Sequence, residues 1–186
     1  ATQTALLVEH LRKDGLKIAS ISFPRYDTIT GRRIYDYLHG TLGDATKVDP
    51  IEASRLFYDN RKAALPEIKE ALKKNDFLIF DRYKYSNWGL QGAKMKTQGE
   101  REILIKKLHD MEKDIPDADI IIVLFIPHNV SQRLLKSEKD RDMHESDPEY
   151  MKRSAENYVW LAKTNKNWVL IDCTKNGKLM TKEEIH

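Results

Sequence analysis

The sequence predicts an α/β fold: a three-layer, doubly wound parallel sheet with helices on both faces. Three observations carry that prediction. Segments with apolar residues at helical spacing alternate with short apolar runs along the whole chain. One run, 120–126, is seven consecutive apolar residues, the pattern of a strand covered on both faces as in a parallel sheet. Another, 77–80, ends in Asp81-Arg82-Tyr83 and so delivers a carboxylate and a guanidinium to one edge of the sheet, where open α/β folds keep their sites.

Each element follows from local chemistry. Ala5, Leu7, Val8 and Leu11 recur at helical spacing, and Gly15 stops that helix. The β-rich stretch 18–23 predicts a strand ending at Pro24, and 30–39 a short helix. Asp49-Pro50 is an N-cap followed by proline at the first helical position; that helix runs to about Lys74, kinked or divided at Pro66. After strand 77–80, helix is expected from about Tyr85, interrupted near Gly99 and resuming over 100–113. Strand 120–126 ends at Pro127, a helix starts near Val130, another covers 148–163, and 168–171 is the last visible strand.

At 186 residues with 40% hydrophobic content, the chain is expected to form one domain around one core. Charge is nearly balanced, 32 basic against 29 acidic residues, which argues against a protein that coats nucleic acid. The single cysteine, Cys173, excludes an internal disulfide and a four-cysteine metal site, and reads as a buried strand-end residue. No apolar stretch approaches the ~20 residues that span a bilayer, so no membrane association and a cytoplasmic setting are expected.

Arginine-bearing elements precede Asp81-Arg82-Tyr83: Phe23-Pro24-Arg25-Tyr26, and Phe57-Tyr58-Asp59-Asn60-Arg61, with Ser86-Asn87 following. Together they fit a pocket for a phosphorylated aromatic ring. In this order and spacing they resemble the thymidylate kinase family of P-loop enzymes, over nearly the whole chain. The resemblance implies a P-loop NTP hydrolase-like fold, ATP as donor, deoxythymidine monophosphate (dTMP) as acceptor, Mg²⁺ as cofactor and a homodimer. It casts Arg82 as the acceptor-phosphate arginine, where a planar guanidinium engages two oxygens, and Asp81 as the carboxylate near the metal. Phe23, Arg25 and Tyr26 would reach the acceptor phosphate and sugar, and Ser86 and Asn87 the base and ribose. Phe57 would stack on the base, with Arg61 one turn on directed at it. Periodicity alone leaves Phe57 open as a core residue, and Asn87 as a turn or cap residue. Segment 136–147 resembles a lid, with Arg133, Lys139 and Arg141 toward donor phosphates, Arg141 also catalytic, and Asp142 and His144 toward the acceptor.

The sequence departs from the family pattern in places. No Gly-x-x-x-x-Gly-Lys-Ser/Thr occurs, and Ala1-Thr2-Gln3-Thr4 resembles the residues that come after that Gly-Lys, leaving Thr2 as the hydroxyl near the metal. A single kinase domain over 1–186, continued upstream by a first strand and P-loop and downstream by the rest of a helix begun at Thr181-Lys182-Glu183-Glu184, is the expectation. Leu90 stands where the family has an aromatic residue beside the sugar. His144 stands where a tyrosine is common, and reads more readily as an exposed histidine than as one that titrates in the site. Competing readings are a deoxynucleoside kinase or another nucleoside monophosphate kinase, and a nucleotide-binding module without catalysis. The pairing of Arg25 with Arg82 favours an acceptor that already carries a phosphate.

Overall fold

The computed structural model of the protein describes residues 1–41, 43–135 and 142–186, with backbone alone for 132–135. The chain enters in α1 (Thr2–Lys13), closed by Gly15 at φ +85°, a left-handed turn that suits glycine. Strand β1 (Ile18–Ser22) leads through Phe23-Pro24-Arg25-Tyr26 into α2 (Ile29–Leu38). The helix expected from Asp49-Pro50 is divided: α3 (Pro50–Ala63) is capped by the Asp49 carboxylate, and α4 (Leu65–Lys74) carries Pro66 in its first turn. Strand β2 (Phe77–Asp81) comes next, one residue longer than its apolar run, so Asp81 is its last residue.

Helix α5 (Tyr85–Gly92) is shorter than expected. The break falls before Thr97 rather than at Gly99, because Thr97 and Glu100 form a capping box that starts α6 (Gln98–Met111). Then come β3 (Ile121–Phe125), α7 (His128–Leu135), α8 (Pro148–Thr164) and β4 (Trp168–Asp172). A hairpin of β5 (Thr174–Lys175) and β6 (Lys178–Leu179), not expected from the sequence pattern, turns at Asn176-Gly177, both at positive φ. The Thr181 capping box holds, and opens α9 (Lys182–Ile185).

β1 runs parallel to β2 with Ser22 opposite Asp81, and β3 parallel to β4 with Phe125 opposite Asp172. Among the described residues the parallel pairing takes the form of two short two-stranded sheets within the mixed α/β fold that the sequence predicts. Both feed one core: Ile21, Phe23, Ile68, Tyr83, Tyr85, Leu161 and Trp168 cluster with Leu78, Phe80, Ile121 and Val123 against them. The expectation for 120–126 is corrected here. Ile121, Val123 and Phe125 are partly covered, whereas Ile122 and Leu124 are 50% and 43% exposed. An uninterrupted apolar run reports the wish to be buried; which faces are covered depends on neighbours it does not encode.

A smaller cluster, Ile34, Tyr37, Leu38, Ala45 and Ala53 with Leu56, Phe57 and Met143, packs α2 on α3. Helix α2 also meets the loop between β1 and α2 through Gly31, where an added Cβ would lie 1.7 Å from the Arg25 carbonyl oxygen. Gly31→Ala should therefore lower stability by roughly 1–3 kcal/mol, since backbone rather than a pliable side chain must move. Thermal unfolding checks this, and an unchanged midpoint would mean that the loop yields freely.

Candidate active site

Parallel pairing sets the site. β1 and β2 end side by side, the Phe23 amide bonds the Asp81 carbonyl at 3.0 Å, and both chains leave the same edge. Phe23 turns its ring back into the core against Phe80 and Tyr83, so of its motif it anchors while Arg25 and Tyr26 emerge. Asn60, 1% exposed on α3, fixes that emerging loop: its Oδ1 accepts from the Arg25 amide (2.8 Å), and its Nδ2 donates to the Arg25 carbonyl and to the hydroxyls of Thr28 and Thr30. The Arg25 guanidinium donates to Glu67 at 2.7 Å, and that hydrogen bond raises its pKa. Tyr26 has its pKa raised, chiefly by burial, with Arg82 opposing and Asp142 and Glu145 adding to the rise. The charges of Arg82, Asp142 and Glu145 are therefore felt at Tyr26.

Asp81 and Arg82 stand at the strand end. The Asp81 side chain, 27% exposed, lies 2.8 Å from the backbone nitrogen of Ala1, which brings Thr2 and the N-terminus of α1 to the same edge. Arg82 is exposed and sits at φ +63°, a left-handed conformation that non-glycine residues rarely hold and that gathers at functional sites. Asp142 and Glu145 close a turn on each other, the Glu145 amide donating to Asp142 Oδ1 at 2.8 Å. Lys139 and Arg141 of the expected lid lie outside the described residues, as does the side chain of Arg133; the backbone of Arg133 is in α7.

A second group lies between α2, α3 and α5. Phe57 is half-buried and meets the Tyr37 ring edge-on at 6.2 Å. One turn later Arg61, 2% exposed, does not present its whole guanidinium to an open pocket, as the resemblance implies. Its Nε and Nη2 donate to the two oxygens of Glu112 at 2.8 and 2.7 Å. Asn87 is 2% exposed and lies inside α5, neither a turn nor a cap, and its Nδ2 donates to Glu112 and to the Ser54 carbonyl. Ser86 and Leu90 are half-buried, and both carbonyls accept from tyrosines of α8.

Sequence reasoning does not find Gln91 or Ser54. Both are fully buried, and the Gln91 amide and the Ser54 hydroxyl make no hydrogen bond of normal length among the described residues. Buried orphan polar atoms in such a group mark a place for a polar ligand or ordered water. The helical spacing of Gln91 from Asn87 is the one available signal.

His144 is not the exposed histidine expected: it is 3% exposed, with its ring 4.6 Å from that of Tyr150. Tyr37 gives its one proton to the Ala45 carbonyl (2.9 Å), and its oxygen accepts from Lys94 (3.3 Å). His144 Nε2, 3.1 Å from the same oxygen, must then be the donor. Burial pushes the Tyr37 hydroxyl up to about 12, with nearby Gln91 opposing, and Lys94 down to about 8. Burial likewise lowers His144, against the pull of Asp142. The folded protein therefore prefers neutral His144. As pH falls below the ordinary ~6.5, the unfolded chain takes up a proton that the folded one resists, so this contribution to stability is full above that value and lost on acidification. His144→Phe should flatten the fall in melting temperature between about pH 7 and pH 5; an unaltered slope would remove His144 as its source.

Against known proteins, the family model described as thymidylate kinase matches residues 1–185. Thymidylate kinase of Fervidobacterium nodosum is 29% identical over 188 aligned residues, covering 100% of this chain and 88% of the relative. That of Homo sapiens is 25% identical, covering 95% and 77%. Among solved structures, thymidylate kinase from Candida albicans superposes with a TM-score of 0.71 at 18% identity, over 99% of this chain and 82% of the other, a likeness of fold.

Proposed function

The chain belongs to the thymidylate kinase family, and on that premise we propose how its residues divide the work of moving the γ-phosphoryl group of ATP to dTMP. Such transfers need little covalent help; positioning and charge do most of the work. The observation that carries the proposal is the shared edge, where Arg25-Tyr26 and Asp81-Arg82 leave adjacent parallel strands.

Arg82, free of any ion pair among the described residues and held at the strand end, binds the phosphate of dTMP with both prongs of its guanidinium. Arg25, steered by Glu67, and Tyr26 complete the phosphate and sugar contacts. Phe57 offers a ring face to the base, with Arg61, Asn87, Ser86, Leu90 and Gln91 around it. Thr2 and the N-terminus of α1 face the donor phosphates. Lys139, Arg141 and Arg133 are assigned to the donor side on the family resemblance, and Asp142 to the acceptor side. His144 acts indirectly, through Tyr37.

Asp81 fits Mg²⁺. It is a hard oxygen donor at the end of β2, suited to an ion held by one carboxylate, waters and substrate phosphates. When bound, Mg²⁺ would neutralise charge on the donor phosphates. One kinase domain, a homodimer and a cytoplasmic setting belong to the same proposal; no described helix is long and apolar enough to cross a membrane.

Calorimetric titration with dTMP, thymidine and the uridine, cytidine and adenosine monophosphates tests the acceptor site. Selective binding of dTMP is expected. Preference for thymidine would favour a nucleoside kinase, and no binding by folded protein would favour the reading without catalysis.

A further inference from the structure

We propose that Glu112 is a positioning residue that sets which pyrimidine the acceptor site accepts, an inference that rests on the dTMP reading. Glu112 comes directly after α6, on an element that supplies no other residue to the site, and it is 1% exposed. A buried carboxylate can only accept hydrogen bonds. It takes two from Arg61, Nε to Oε2 at 2.8 Å and Nη2 to Oε1 at 2.7 Å, and one from Asn87 Nδ2 to Oε1 at 3.3 Å.

The consequence for Asn87 is a fixed orientation. Its other donor contact is the Ser54 carbonyl at 3.4 Å, again an acceptor, so the amide nitrogen must face Glu112 and Ser54. Oδ1 is turned the opposite way and remains available as an acceptor. Arg61 likewise spends its Nε and Nη2 edge on Glu112 and keeps Nη1 as a spare donor. Both residues bond one oxygen of Glu112, so the spare donor and the spare acceptor belong to neighbouring side chains. A donor beside an acceptor complements the carbonyl and N–H of a pyrimidine dione, the edge that thymine and uracil present. Cytosine presents an amino group and a bare ring nitrogen there and is rejected twice. An inverted Asn87 amide would lose that discrimination, and two acceptor-only partners, the Glu112 carboxylate and the more distant Ser54 carbonyl, oppose the inversion.

Glu112→Gln keeps the size of the side chain but supplies an N–H, which removes the nearer of the two acceptors that hold the Asn87 amide in place. Calorimetric dissociation constants for dTMP and deoxycytidine monophosphate (dCMP) should show the dTMP preference of the unmodified protein reduced by about tenfold or more. In an Asn87→Ala background the same change should alter the preference less than about twofold. An equal loss in both backgrounds, or an unchanged preference with only a lower melting temperature, would overturn the proposal and leave Glu112 as a structural partner of Arg61. If Glu112→Gln does not fold, the unmodified protein decides by NMR: the Asn87 side-chain amide protons should exchange at least about tenfold more slowly than those of exposed Asn176. Similar rates would overturn the proposal. A protein that binds neither nucleotide fails at the acceptor reading, which separates the two cases.

Discussion

Arg82→Ala should lower kcat/KM for dTMP by about 10²–10³, the cost of removing one aimed donor at a charged transition state, with the fold retained. The side chain is exposed and makes no ion pair among the described residues, so its loss opens no cavity and strands no buried charge. Its backbone supplies a second arm. At φ +63° an alanine is as strained as the arginine, whereas glycine is not. Arg82→Gly should therefore melt no lower than Arg82→Ala yet be equally impaired. Steady-state kinetics and thermal unfolding on both variants separate geometry from chemistry. Activity within about threefold of the unmodified enzyme, far short of the loss expected for a phosphate-binding arginine, would sink the assignment.

The largest stability effect is expected at Arg61. Arg61→Ala leaves the Glu112 carboxylate buried and unpaired, which costs about 3–5 kcal/mol for a pair so fully removed from water. Exchanging both partners for apolar residues of similar size, Arg61→Met with Glu112→Leu, should recover most of that loss, because desolvation of two charges disappears along with their attraction. Denaturant unfolding reads both. Acceptor binding should stay weak in the double variant although stability returns, because the donor edge and the grip on Asn87 are gone. A single variant within about 1 kcal/mol of the unmodified protein would put the pair in the class of solvent-screened ion pairs instead.

How much of the fold and site is legible in the sequence depends on the range of the interaction. Asp49-Pro50 and Thr181 with Glu184 are legible because a cap is settled within four residues. The Thr97–Glu100 box is equally local, and reading Gly99 as a breaker hides it. The edge carrying Arg25, Tyr26, Asp81 and Arg82 is legible because strand ends mark it, and the parallel register agrees. Glu112 is not, since its partner Arg61 is 51 residues away and nothing around a glutamate at a helix end announces burial. His144 misleads for the same reason: a polar neighbourhood in sequence conceals a buried one in space, made by Tyr37, Ala45 and Tyr150.

The contact between α5 and α8 bears on how such a protein can change over generations. Tyr158, Tyr150 and Arg153 donate to the carbonyls of Ser86, Leu90 and Ala93, and Asn157 to those of Trp88 and Gly89. Gly89 and Gly92 give the room, for a Cβ would lie 2.0 Å from the Tyr158 ring or 2.4 Å from the Asn157 amide. α8 thus recognises the main chain of α5 at these positions. The bonds that α8 makes at positions 86 and 90 go to main-chain carbonyls and survive a change of side chain there, whereas Asn87 and Gln91 are themselves buried and an exchange of either also disturbs the packing around it.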